Sequence, residues 1–269
     1  MVLATTTETG QVNRSAADVY DEFFVPALFQ RWVAPVADAA KVKKGQRVLD
    51  VACGTGVLTQ ELAARVGPDG AVTGLDINDG MLAVARCKAP SIDWRHGEAE
   101  ALPFDDNSFD AVASQFGLMF FRDRKRAIHE MARVLRPGRR LAVAVWDSLE
   151  NTPGYAAASA LLHRLFGATV AESLRSPYLL GDTGELIALF DDPNLTKISV
   201  DTYEGIAQFP SIEDWMYTDV RGWTLADVLD DDQYALLLNE AHTALQKFVL
   251  SDGSVAFASP AHIVTATGL

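Results

Sequence analysis

The stretch Val48-Leu49-Asp50-Val51-Ala52-Cys53-Gly54-Thr55-Gly56 constrains the chain more than any other. An apolar strand ends in a short glycine-containing turn, and Val57-Leu58-Thr59-Gln60-Glu61-Leu62 starts an amphipathic helix at once. Such a crossover presents unpaired backbone N–H groups and the positive end of a helix to a ligand. Gly54 and Gly56 carry no Cβ, so a ligand can lie against the backbone there. This is the first β-turn-α of an open, doubly wound sheet, in which ligands bind beyond the carboxyl ends of the strands.

The pattern downstream repeats the unit. Strands are predicted at 47–51, 71–75 (ending at Asp76), 92–95, 109–114 and 141–146. Helices fall between them at 57–66, 80–88 (capped by Asn78 or Asp79) and 124–135, the last stopped by Arg136-Pro137-Gly138. Alternation of this kind argues a mostly parallel sheet with helices on both faces. Ahead of it, residues 1–14 read as a loose tail, and a helix starts with Ser15 as its cap. Pro26 separates two short helices, and Pro35 opens another through Ala40. After Asp147 the rhythm breaks. Helices are predicted at 154–166, 183–190, 211–218 and 231–248, and a strand at 195–203. Terminal strands follow at 255–258 and 262–267, as a pair or as one interrupted strand.

Composition narrows the function. At 269 residues the chain suits one large α/β domain with a small addition. A net charge of -13 opposes a nucleic-acid partner. Cys53 and Cys87 build neither a disulfide framework nor a cysteine-rich metal site, which points to the cytoplasm. The N-terminus lacks the order of a signal peptide. No apolar run approaches the ~18–20 residues that span a bilayer, so stable membrane insertion is not expected. No His-Glu-x-x-His spacing appears and no metal is implied.

Three residues join the opening turn. Asp76 ends the second strand, 20 residues after Gly56, where a carboxylate accepts from a ribose diol. Glu98 follows the third strand and Gln115 ends the fourth. Singly, these read as a helix cap, a solvated charge and an unassigned amide. Together, in this order, they outline a binding site.

The sequence resembles the class I methyltransferases that use S-adenosylmethionine, in particular the small-molecule (type 11) branch with the ubiquinone- and menaquinone-biosynthesis-like enzymes. Residues 48–56 are similar to the first motif of that family, and Gly74-Leu75-Asp76-Ile77-Asn78 with Met81-Leu82 to the second. Gly97-Glu98-Ala99-Glu100-Ala101-Leu102-Pro103-Phe104 resembles its adenine-binding segment. Phe109-Asp110-Ala111-Val112, Gln115-Phe116-Gly117-Leu118 and Glu130 through Leu135-Arg136-Pro137-Gly138 complete the pattern over residues 45–147. The chain departs at Arg139-Arg140, where a second Gly is usual.

The resemblance implies a Rossmann-like doubly wound seven-stranded sheet with a small helical cap region. It divides the chain into N-terminal helices (1–44), a cofactor-binding core (45–147) and a part that adds the cap and final strands (148–269). The implied cofactor residues are Trp32, Asp50, Ala52, Cys53, Gly54, Gly56, Asp76, Ile77, Met81, Gly97, Glu98, Ala99, Gln115 and Phe116. Asp76 would hold the ribose, Ile77 and Met81 the adenine faces, Glu98 the adenine amino group, and the Ala99 N–H a ring nitrogen. Ala52 and Gly54 would line the methionine portion, the Gln115 carbonyl would meet its amino group, and Asp50 would order the turn through its N–H groups.

The reaction implied is in-line methyl transfer that leaves S-adenosylhomocysteine, with alignment and water exclusion as the protein's main tasks. No catalytic residue is named, because a general base depends on the acceptor. Trp32, ahead of Tyr20, Phe24 and Phe29, is expected at the sulfonium. Phe116, Met119, Trp146 and Trp215 suggest an apolar or aromatic small-molecule acceptor, and nothing opposes a homodimer. Two alternatives stand beside this. An NAD(P)-dependent oxidoreductase is disfavoured by Thr59, which replaces the third glycine of the dinucleotide fingerprint. A non-catalytic cofactor-binding protein remains compatible, since pocket and chemistry are separable.

Overall fold

Strand β1 (Arg47–Val51) is buried over its last four residues, so both its faces need cover. It finds parallel partners on both sides: β2 (Ala71–Asp76) along its whole length, and β4 (Phe109–Gln115) through Val48↔Ala111, Leu49↔Val112 and Asp50↔Ala113. Next to β2 lies β3 (Asp93–His96), and next to β4 lies β5 (Leu135–Trp146), both parallel. Beyond them come β6 (Leu195–Tyr203) and a small separate ribbon of β7 (Ile206–Phe209) with β8 (Val255–Ala258). The last strand, β9 (Ala261–Gly268), slots antiparallel between β5 and β6. The sheet is seven-stranded in the order β3-β2-β1-β4-β5-β9-β6 and mostly parallel, as expected. Its order reverses between β1 and β4, which opens a crevice at their carboxyl ends.

The computed structural model describes residues 14–222, 225 and 228–269. The expected tail therefore lies outside the described residues, except that Arg14 already stands in helix α1 (Arg14–Val19). The Ser15 side chain, expected as a cap, is also outside them. Pro26 does not separate two helices. It sits within a π-helical stretch, Tyr20–Phe29, whose Gln30 N–H reaches back five residues to the Val25 carbonyl. The wider turn keeps the proline ring clear of the carbonyl that an α-helix would drive into it. A short 3₁₀ turn then leads into α2 (Val33–Ala39), in which Pro35 stands third.

Helices α3 (Val57–Val66), α4 (Asp79–Lys88) and α5 (Arg124–Val134) connect the parallel strands. Asn78 caps α4, accepting from the Met81 N–H at 3.0 Å. The region after β5 holds α6 (Pro153–Phe166), α7 (Ala168–Arg175), α8 (Thr183–Leu189), α9 (Ile212–Arg221) and α10 (Asp231–Ala244). Helix α7 and strand β7 add to the predicted elements. The ribbon also shows that residues 255–258 and 261–268 are two strands in two sheets. Leu135 leaves the predicted helix to begin β5, whose register shifts between Phe109 and Ala111. The Arg139-Arg140 departure has structural work there. Arg139 reaches Asp110 at 3.3 Å, and Arg140 donates to the hydroxyls of Thr265 and Thr267 on β9.

The loop after β3 is held from α5. Buried Glu130 accepts the Leu102 N–H at 3.0 Å and two bonds from Arg133, at 3.0 and 2.7 Å. Arg133 also donates to the carbonyls of Leu102 and Phe104. This gives a physical reason for an acidic residue at 130. The Arg133 hydrogen bond holds the Glu130 carboxyl below its ordinary range. The stabilisation is therefore full above that range and is lost as pH falls through the depressed value. Glu130→Ala is expected to lower stability by about 3 kcal/mol in urea unfolding, with a flatter acid limb. A loss below about 0.5 kcal/mol would mean that the pair is a screened surface bridge.

Candidate functional site

The carboxyl ends of β1 and β4 meet with no space to spare. A Cβ on Gly117 would fall 2.5 Å from the Ala52 Cβ. Ala52 and Phe116, the residues just past the two strands, both adopt the left-handed region at φ +57°. For residues with a Cβ that conformation costs roughly 1–2 kcal/mol each. Beside this junction lies a cavity of about 310 Å³, lined by Tyr20, Phe29, Asp50, Ala52, Cys53, Gly54, Thr55, Val57, Leu58 and Gln115. Five expected cofactor residues, Asp50, Ala52, Cys53, Gly54 and Gln115, thus share one wall.

Two buried carboxylates organise this wall. Asp76 accepts the Gly54 N–H and the Asn78 N–H, each at 2.8 Å, and so ties the turn to β2. Burial raises its pKa against these bonds. Asp50 was expected to bind the N–H groups of the turn. Its observed partner is instead the Thr59 hydroxyl at 2.6 Å, because the Asp76 carboxylate takes the Gly54 N–H. Burial pushes Asp50 up to about 7, with the Thr59 hydrogen bond opposing. Thr59 therefore has a positive role at the position where a dinucleotide fold has glycine.

Several buried polar atoms here lack a partner: Asp50 Oδ1, Thr55 Oγ1, Ser114 Oγ and Gln115 Oε1. Native interiors leave few such groups, so a cluster of them marks a place that a ligand completes. Carboxylate and amide oxygens accept, hydroxyls do both, and the set suits a ligand rich in N–H donors and positive charge.

The remaining expected residues lie around this wall. Ile77 is 44% exposed past β2, Glu98 is exposed past β3, and Ala99 is buried. Met81 packs against Ala17, Val84 and Tyr20, so the N-terminal helix covers it. Lys88 pairs with Asp21 at 2.7 Å on that cover. Asp76 faces His96 across the β2–β3 register, with Gly97 next in the chain. Two residues have a packing role. The side of Gly56 where a Cβ would stand is filled, since a Cβ there would lie 2.4 Å from the Trp94 ring. Trp32 lines neither cavity. It is 2% exposed, edge-on to Phe116 and Trp146, and a Cβ on Gly205 would touch it.

A second cavity, about 430 Å³, shares Phe29 with the first and starts at Phe116, next to Gln115. Trp146 lines it, stacked on Phe116 with ring centroids 3.8 Å apart. Met119 and Trp215, also expected in an acceptor pocket, are buried but do not line it. The sequence reading missed Tyr155, Ser173, Tyr178 and Asp219 on its wall. One signal existed: Asp219 stands on the face of α9 that buries Trp215 and Met216. Among the described residues no cluster suited to a metal ion is found, and no helix is long and apolar enough to cross a membrane.

Residues 5–185 match the ubiE/COQ5 methyltransferase family. The chain is 46% identical over 127 residues to a demethylmenaquinone methyltransferase of Renibacterium salmoninarum, covering 47% of this chain and 52% of that protein. It is 37% identical over 175 residues to the ubiquinone/menaquinone biosynthesis C-methyltransferase UbiE of Hahella chejuensis, covering 62% and 70%. The chain spans about half the length of the first of these relatives. The YcgJ protein of Bacillus subtilis superposes with a TM-score of 0.59 at 20% identity, over 88% of this chain and 98% of that one, and shows the shared fold.

Two outcomes test the site's construction. Gly56→Ala, at φ +86° and against Trp94, is expected to cost at least about 2 kcal/mol in urea unfolding. Gly54→Ala meets nothing within 4 Å and should cost only about 1 kcal/mol. Equal losses would remove the Trp94 argument. The raised Asp50 pKa makes the folded state bind the extra proton between its ordinary value and about 7. Stability therefore falls as pH rises through that window, and Asp50→Asn should shrink the drop between about pH 5 and about pH 8. An unchanged drop would show that Asp50 does not titrate there.

Proposed function

The chain belongs to the ubiE/COQ5 methyltransferase family, and we propose that it binds S-adenosylmethionine at the carboxyl ends of β1, β2 and β4 and methylates a small, largely apolar acceptor. The observation that carries this reading is the group of unpartnered acceptors, Asp50 Oδ1 and Gln115 Oε1, beside the open face of Gly54. A zwitterionic methionine moiety with a cationic sulfur suits them. Asp76 keeps lone pairs for a ribose diol while holding the turn. Exposed Ile77 and buried Met81 would flank the adenine, with Glu98 and the Ala99 N–H at its polar edge.

S-adenosylmethionine supplies an electrophilic methyl group on a sulfonium. The protein's own part is alignment and exclusion of water. Asp50 and Asp76 create a negative field that favours a cation. Phe29, on both cavities, offers an aromatic face where they meet. Tyr20 and Phe29, stacked with centroids 5.2 Å apart, roof the first cavity. The half-exposed Lys88–Asp21 pair that helps to hold this cover is worth no more than about 1 kcal/mol, which leaves a route of entry.

The acceptor is read from the second cavity, whose walls are mainly aromatic. Relatives named for demethylmenaquinone and for ubiquinone/menaquinone biosynthesis make aromatic acceptors the first to assay. A nicotinamide-dependent oxidoreductase fits poorly, since the Thr59 side chain and its bond to Asp50 occupy the third fingerprint position.

Calorimetric titration tests the cofactor. S-adenosylhomocysteine should bind and NADH should not, and Asp76→Ala should weaken the former at least about tenfold. Binding of NADH with neither sulfur ligand would end this reading. Transfer of a labelled methyl group, followed over a panel of aromatic acceptors, then separates an enzyme from a binding protein.

A further inference from the structure

The second cavity contains a carboxylate for which the cofactor reading has no use. Asp219 is 2% exposed. Its Oδ1 accepts the Tyr155 hydroxyl at 3.0 Å, and its Oδ2 is buried without a partner. Ser173 Oγ lines the same cavity, also buried and unpartnered. No Lys, Arg or His lines this cavity, and among the described residues Asp219 has no ion-pair partner. The rest of the wall is aromatic or aliphatic and includes the stacked Phe116 and Trp146 rings.

A carboxylate buried without a cation is costly, and a neutral side chain of similar size would serve the fold better. A ligand that brings a cation removes that cost. A neutral hydroxyl donor would also satisfy Oδ2, but two observations favour positive charge. The Tyr155 O–H is spent on Oδ1, which supports the ionised carboxylate. Aromatic walls attract a desolvated ammonium through their ring faces. Burial raises the Asp219 carboxyl to about 8, with the Tyr155 hydroxyl opposing. The Trp215 indole N–H also favours the anion, although no hydrogen bond closes between them. An adjacent ammonium would restore the charged form.

We propose that Asp219 is the specificity residue of the acceptor cavity, and that the acceptor is an apolar amine whose ammonium group lies between the Asp219 carboxylate and the Ser173 hydroxyl. Its apolar body rests on Phe116 and Trp146, beyond the Phe29 wall. The proposal rests on the reading of this cavity as the acceptor site. The ammonium serves as an anchor, and the methylated atom is a separate matter. Asp219 lies beyond residues 5–185, the stretch matched by the family, whereas Tyr155, Ser173, Phe116 and Trp146 lie within it.

The test uses 2-phenylethylamine, 2-phenylethanol and ethylbenzene, which differ only in the polar group. Each is titrated calorimetrically into the full chain with S-adenosylhomocysteine present. The amine should bind at least about tenfold more tightly than the other two. Asp219→Asn should bring the amine to the level of the alcohol and leave the S-adenosylhomocysteine affinity unchanged. Ser173→Ala, which removes only a hydroxyl, should weaken the amine about three- to tenfold. Equal or tighter binding of the alcohol would overturn the proposal in favour of a neutral donor. Amine preference that survives in Asp219→Asn, or no binding of any of the three, would overturn it outright. S-adenosylhomocysteine titrated alone keeps the two readings apart: its failure to bind removes the cofactor reading, whereas its binding without amine binding removes only this one.

Discussion

Parallel pairing of β1 with β4 is the interaction from which the rest follows. At that pair the strand order reverses, so the connections leave in opposite directions and a crevice opens between them. The strand ends are brought so close that Gly117 has no room for a Cβ beside Ala52. Both chains must then turn sharply, and Ala52 and Phe116 take left-handed backbone to do so. That strain directs Cys53-Gly54-Thr55 towards one cavity and the Phe116 ring towards the other. One junction thus builds both halves of the site.

The same junction explains why the buried carboxylates can be kept. Asp50 and Asp76 raise the cost of folding through desolvation, and each offsets part of it locally, through Thr59 or through the Gly54 and Asn78 N–H groups. Neither pairs with a cation in the wall. The arginine-paired networks behave differently. Asp110 with Arg136 and Arg139, and Glu130 with Arg133, hold strand entrances and a loop, and their carboxyls are held low by hydrogen bonds and opposite charge. Carboxylates pushed up by burial gather at the cavities, and carboxylates held down by arginine gather at the scaffold. That division separates binding from support on physical grounds.

The legible part of the molecule was the part set by neighbouring residues. Strand, turn and helix alternate from Arg47 to Trp146 with a rhythm that fixes the sheet, and Asp76, Asn78 and the Gly54 turn follow from spacing alone. Where tertiary contacts decide, the sequence misled. Gly56 has a packing role that its motif does not announce, because Trp94 arrives from another strand. Trp32, expected at the sulfonium, is packed in the core against Gly205 and Trp146. Pro26 looked like a break, yet a π-helical turn absorbs it. Helix α7 and strand β7, which were not predicted, pack against α6 and pair with β8.

Asp219 shows the limit of local reading most clearly. On α9 it occupies the buried face, four residues after Trp215, where a pattern search expects an apolar side chain. The mismatch was visible, but its meaning was not, because the Tyr155 hydroxyl and Ser173 come from helices far earlier in the chain. A polar residue that breaks an apolar face signals either a defect or a site, and the distinction lies in whether other elements bring complementary groups to it. Here Tyr155 supplies the hydrogen bond and the aromatic wall supplies the shape. The second cavity is therefore assembled from elements far apart in the chain, whereas most of the first is written in a single β-turn-α unit.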